Sequence, residues 1–131
     1  MRVLVVDDDQ DVCDLVVRCV STVGCEVLAA HSGPAALTVV EIHGMPDVAV
    51  LDVAMPEMDG ITLLGRLRKR RADLPAVFLS VLWSGHDLAR MRDAGGVPMQ
   101  KPFAADRLRA VLRELVVPRG RQAPAQPRTS R

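Results

Sequence analysis

Tyrosine is absent, and the chain holds one tryptophan and two phenylalanines. That scarcity argues against stacking on nucleic-acid bases as the way this protein works. Charge of one sign is lacking too. A formal net charge of +1 gives no pull toward nucleic acid or an anionic membrane. The basic residues are almost all arginine, and Lys69 and Lys101 are the only lysines. No apolar run approaches the roughly 20 residues of a membrane span. Asp7 follows the first apolar residues too soon for an export signal. Cys13, Cys19 and Cys25 are odd in number and lie in apolar segments. They read as small buried hydrophobes in a reducing compartment, not as disulfides or metal ligands.

What is present is a regular alternation. At 131 residues the chain suits one domain with one folded unit. Short apolar runs read as buried strands: Val3 to Val6, Glu26 to Ala30, Val48 to Leu51, Ala76 to Ser80 and Val97 to Gln100. Helical spacing fills the intervals. Val12, Leu15, Val16, Cys19, Val20 and Val23 mark a first helix to about residue 23, and Ser32 caps a second that runs to His43. Further helices are expected over Ile61 to Arg71, His86 to Ala94 and Ala104 to Val116. Such alternation implies parallel βαβ units, an α/β sheet covered on both faces. From residue 118 the pattern breaks into a Pro- and Arg-rich stretch, read as a disordered basic tail after a domain spanning 1–117.

In open α/β sheets the functional groups gather at the carboxyl ends of the strands. Asp7 and Asp8 end the first expected strand, Asp52 the third, Ser80 the fourth and Lys101 the fifth. Carboxylates brought into one cleft repel one another. A hard divalent cation such as Mg²⁺ makes them tolerable. A carboxylate beside that cation can take up a phosphoryl group. The lysine and a hydroxyl can then neutralise the phosphoryl oxygens.

These stretches, VLVVDDD, LDVAMPEMDG, FLS and QKPF, in this order and spacing, resemble the receiver domain of bacterial two-component response regulators. The resemblance covers about residues 2 to 116. It implies a flavodoxin-like (βα)5 fold with a five-stranded parallel sheet in the order 2-1-3-4-5. It implies that Asp7 and Asp8 hold Mg²⁺, with Asp8 the more direct ligand, and that Ala54 lends its backbone carbonyl. Asp52 would be the phosphoacceptor and a further ligand, Ser80 the switch hydroxyl and Lys101 the phosphate-binding lysine, followed by a cis-Pro at Pro102. The implied partners are a sensor histidine kinase or phosphotransfer protein and an unknown downstream protein. A homodimer is left open. The implied place is the cytoplasm, and the implied catalysis is confined to the protein's own phosphorylation and dephosphorylation. The alternative is an interaction module that signals without phosphate. The chain can also be read as the front of a longer regulator whose tail begins a linker.

Two positions depart from the family pattern. Pro98 stands where an aromatic switch residue is common, and Val81 where a small residue is usual. Ala54 and Leu82 put apolar side chains along the expected path of a hydrolytic water. Plainer roles are assigned elsewhere. Asp9 and Asp11 favour a helix N-terminus. The basic stretch Arg66 to Arg71 reads as a solvated helix face. His31, His43 and His86 show no metal spacing, and Met55, Met58 and Met99 read as packing residues. Trp83 lies three residues past Ser80 and is expected to report on that loop.

Overall fold

Each strand of the sheet is apolar at both odd and even positions, and this places helices on both faces. The computed structural model describes residues 1–21, 24–81 and 84–121. In chain order the elements are β1 (Arg2–Val6), α1 (Gln10–Ser21), β2 (Glu26–Ala30), α2 (Gly33–His43) and β3 (Val48–Asp52). They continue with α3 (Gly60–Leu67), β4 (Ala76–Ser80), α4 (Gly85–Asp93), β5 (Val97–Gln100) and α5 (Ala105–Arg121). The strands form one parallel sheet in the order β2-β1-β3-β4-β5. This is the flavodoxin-like arrangement expected from the sequence.

On one face Leu4, Val6, Ala49, Leu51, Ala76 and Phe78 pack against α2, α3 and α4. On the other, Val3, Val5, Val48, Val50, Val77 and Leu79 meet Cys13, Val16 and Val20 of α1 and Leu108 and Leu112 of α5. β3 and β4 are buried along their whole length, which leaves their last residues, Asp52 and Ser80, out of water.

The helices start where their caps dictate. Asp9 accepts the N–H groups of Asp11 and Val12 ahead of α1. Ser32 accepts that of Ala35 at α2, Asp59 that of Thr62 at α3, and Ser84 forms a capping box with Asp87 at α4. Two of the helix ends differ from expectation by more than one residue. α3 stops at Leu67 instead of Arg71, because Lys69 and Arg70 turn to bond Arg66 and Leu67, three residues back. α5 runs to Arg121, past the expected stop at Val116. Composition hid this, since the helix continues where its apolar period has already ended. The expectations for Val23, Leu82, Trp83 and residues 122–131 lie outside the described residues. Among the described residues no helix is long and apolar enough to cross a membrane.

Candidate functional site

The parallel sheet sends β1, β3, β4 and β5 in one direction, so their carboxyl ends share one rim. β1 delivers Asp7, which is fully buried, and Asp8, which is exposed. β3 delivers Asp52, almost completely buried. One carboxylate oxygen from each of the three lies within 4.8 Å of the others. Lys101 enters from the end of β5. Its Nζ donates to Asp7 Oδ2 at 2.8 Å and to Asp52 Oδ1 at 3.2 Å. The Lys101 backbone N–H bonds the Ser80 carbonyl at 2.8 Å, which places buried Ser80 beside it. The Lys101–Pro102 peptide is cis, as the resemblance implied.

The β3–α3 loop is held close to Asp52. Gly60 donates to the Val53 carbonyl at 3.0 Å. A Cβ at Gly60 would stand 2.3 Å from the Asp52 carbonyl oxygen, so this approach requires glycine. Ala54 is exposed on that loop. It shares a cavity of about 280 Å³ with Val53, Asp59, Ser80, Val81, Asp87 and Arg90.

Charge in the cleft is unbalanced. Burial pushes the Asp52 carboxyl up to about 7; the Asp7 charge adds to this and Lys101 opposes it. Burial pulls the Lys101 ammonium down. Its hydrogen bond to Asp7 and the charges of Asp52 and Asp7 outweigh that and carry it above the usual lysine value. Three carboxylates against one ammonium leave room for a further cation, and every donor is an oxygen. That donor set suits Mg²⁺, a hard ion that binds through one or two carboxylates and keeps several waters.

The response regulator receiver domain family matches residues 3–113. This chain belongs to that family. The receiver is 39% identical over 117 residues to the response regulator MprA of Mycobacterium avium (strain 104), covering 88% of this chain and 51% of that protein. It spans about half the length of the curated relatives it matches. Among solved structures, the receiver domain of the Francisella response regulator 1452 is 31% identical with a TM-score of 0.80, over 90% of this chain and 98% of that one. A CheY-like receiver domain protein from Methanospirillum hungatei JF-1 shares the fold at a TM-score of 0.84 and 24% identity, over 93% of this chain and 98% of that one.

The receiver brings Asp7, Asp8, Asp52 and Lys101 into one cluster, with Ser80 and Ala54 at its side. Asp9 stays out of the cluster and caps α1. The cysteines pack as small apolar residues, Cys13 and Cys19 buried and Cys25 half-buried. Burial, with Asp7 nearby, pushes the Cys13 thiol up to about 11. The basic face is solvated at Arg66, Lys69 and Arg70, which are exposed, but not at Arg68 and Arg71. Arg68 folds back to donate to the carbonyls of Leu74 and Ala94, and Arg71 donates to the Pro46 carbonyl at 2.6 Å and pairs with Asp73. A run of arginines looks the same whether its partners are water or carbonyls brought in by folding. Sequence reasoning also missed the pair Arg90–Asp59, whose members lie 31 residues apart with no pattern linking them. His31 is exposed, and its Nδ1 lies 3.2 Å from the Asp7 carbonyl, a contact that spacing alone does not show.

Proposed function

We propose that this receiver is a phosphorylatable signalling switch that accepts a phosphoryl group on Asp52 from a histidine kinase or phosphotransfer protein. The observation that carries the reading is the buried Asp52 carboxylate, in contact with Lys101 and within 4.8 Å of Asp7 and Asp8. Asp7, Asp8, Asp52 and the Ala54 carbonyl would hold Mg²⁺. When bound, the ion supplies positive charge that offsets the phosphoryl oxygens.

Asp52 acts as the nucleophile. Its carboxylate oxygen forms a bond to phosphorus as the donor's phosphorus–nitrogen bond breaks, and the histidine leaves with that electron pair. As an acyl phosphate, the Asp52 carboxyl no longer carries the charge that Lys101 now meets. The ammonium then turns to a phosphoryl oxygen while keeping Asp7. The Ser80 hydroxyl would donate to a second oxygen, and that turn would start the conformational signal. An apolar groove of about 320 Å³ opens beside Lys101, lined by Val12, Leu15, Val81, Pro102 and Phe103, and gives a protein donor a place to dock. The chemistry is confined to Asp52 itself, and the setting we assign is the cytoplasm.

The assembled acid cluster with its paired lysine speaks against a module that signals without phosphate. Incubation with Mg²⁺ and a small phosphodonor, followed by intact mass, tests the reading. Wild type should gain one phosphoryl group and Asp52→Asn none. A phosphorylated Asp52→Asn protein would overturn the assignment.

A further inference from the structure

α4 is the most lightly seated helix of the sheet's α2–α3–α4 face. Met91 is its one fully buried residue. Its residues Asp87 and Arg90 line the 280 Å³ cavity that reaches Ala54 and Ser80. An element with so little buried apolar area moves at low free energy. Its C-terminal turn is held by Arg68, which donates to the carbonyls of Ala94 and Gly95. Along the helix itself, among the described residues, Arg90–Asp59 is the ion pair that ties α4 to another element, at 3.0 Å.

Asp59 is an unusual anchor for such a tie. One of its carboxylate oxygens caps α3 through Thr62 N–H at 2.7 Å, and the other takes Arg90. Burial works against its charge, yet these bonds hold the carboxyl below its ordinary value. The next residue, Gly60, bonds Val53 and lies against the Asp52 carbonyl too closely for any Cβ. A contiguous path of hard contacts therefore runs from Asp52 through Val53, Gly60 and Asp59 to Arg90. Arg90 and Ser80 line the same cavity.

We propose that the Asp59–Arg90 ion pair couples the Asp52 site to α4, so that a phosphoryl group on Asp52 resets the position of this helix. The inference rests on the phosphorylation reading. A half-exposed pair of this kind supports a coupling of about two- to fivefold. Because water and salt reach it, the coupling weakens as ionic strength rises.

Hydrogen exchange of the full chain tests it, with and without saturating beryllium fluoride and Mg²⁺, a mimic of the phosphoryl group whose binding is checked by native mass. In wild type the exchange of residues 85–93 should change about two- to fivefold on binding. Arg90→Ala should bind the mimic and lose that response. Asp59→Asn should do the same, since asparagine keeps the helix cap but not the charge. Arg90→Lys should retain the response. If both charge-removing variants respond as wild type does, the coupling runs elsewhere and the proposal fails. It also fails if wild type binds the mimic while α4 exchange stays unchanged, and the phosphorylation reading then survives. If wild type does not bind the mimic at all, the phosphorylation reading falls and takes the coupling with it.

Discussion

At the scale of single residues, side chains with no polar atoms shape the site as much as the acids do. Hydrolysis of an aspartyl phosphate needs a water held in line with phosphorus, and a polar neighbour helps to hold it. Ala54, exposed on the loop after Asp52, has no side-chain group to hydrogen-bond such a water, and Leu82, set on the same path by the family resemblance alone, has none either. Ala54→Asn with Leu82→Glu is therefore expected to shorten the phosphoryl lifetime about tenfold, equivalent to about 1.4 kcal/mol of barrier. Decay of the phosphorylated mass after donor removal measures it, and an unchanged decay would mean the lifetime is set elsewhere. Gly60 is the other decisive small residue. Gly60→Ala forces a methyl to within 2.3 Å of the Asp52 carbonyl. Overpacking against backbone should destabilise the domain by about 1–3 kcal/mol, seen as a lower urea midpoint.

At the scale of elements, the helices differ in how they are fastened. α1 and α5 share an apolar core with the sheet and with each other. α3 ends in a turn that one side chain ties to the exit of α4. The Arg68 guanidinium gathers the carbonyls of Leu74, Ala94 and Gly95, joining the exit of α3 to the exit of α4. Arg68→Ala removes several charged hydrogen bonds at once and should cost about 1–3 kcal/mol in denaturant melts. Arg68→Lys should restore little of it, because an ammonium cannot span three carbonyls as a planar fork does. Equal stability of Arg68→Ala and wild type would show that water replaces the arginine without loss.

At the scale of the whole molecule, the proposed cation site would link stability to Mg²⁺ through Asp52. Its folded-state value, about 7, lies above the ordinary 3.8. Between those values the folded chain holds a proton that the unfolded chain has released. The stabilisation from that proton is present at low pH and is lost as pH rises through about 7. Mg²⁺ requires the deprotonated carboxylates, so its stabilising effect grows over the same range. The rise in melting temperature on adding Mg²⁺ should be larger at about pH 8 than at about pH 6. Asp52→Asn should flatten that difference. A Mg²⁺ effect independent of pH in wild type would place the cation away from Asp52.

The amino-acid sequence by itself determined the succession of five strands and five helices, since period and caps are local properties. It also determined which residues end the strands. The family resemblance supplied the sheet order, and parallel βαβ geometry then brings Asp7, Asp8, Asp52 and Lys101 to one rim without further information. Ser32, Asp9 and the three cysteines were legible for the same reason: their roles depend on immediate neighbours. The tertiary structure alone decided which arginines have carbonyl or carboxylate partners. Arg68, Arg71 and Arg90 reach groups from other parts of the chain, and a long flexible side chain keeps no trace of its partner in local spacing. It alone decided how far the Asp52 carboxyl is shifted, because burial and the charges of Asp7 and Lys101 act only once the strand ends have met. The seating of α4 was likewise decided in space, by how few of its side chains the sheet and neighbouring helices cover.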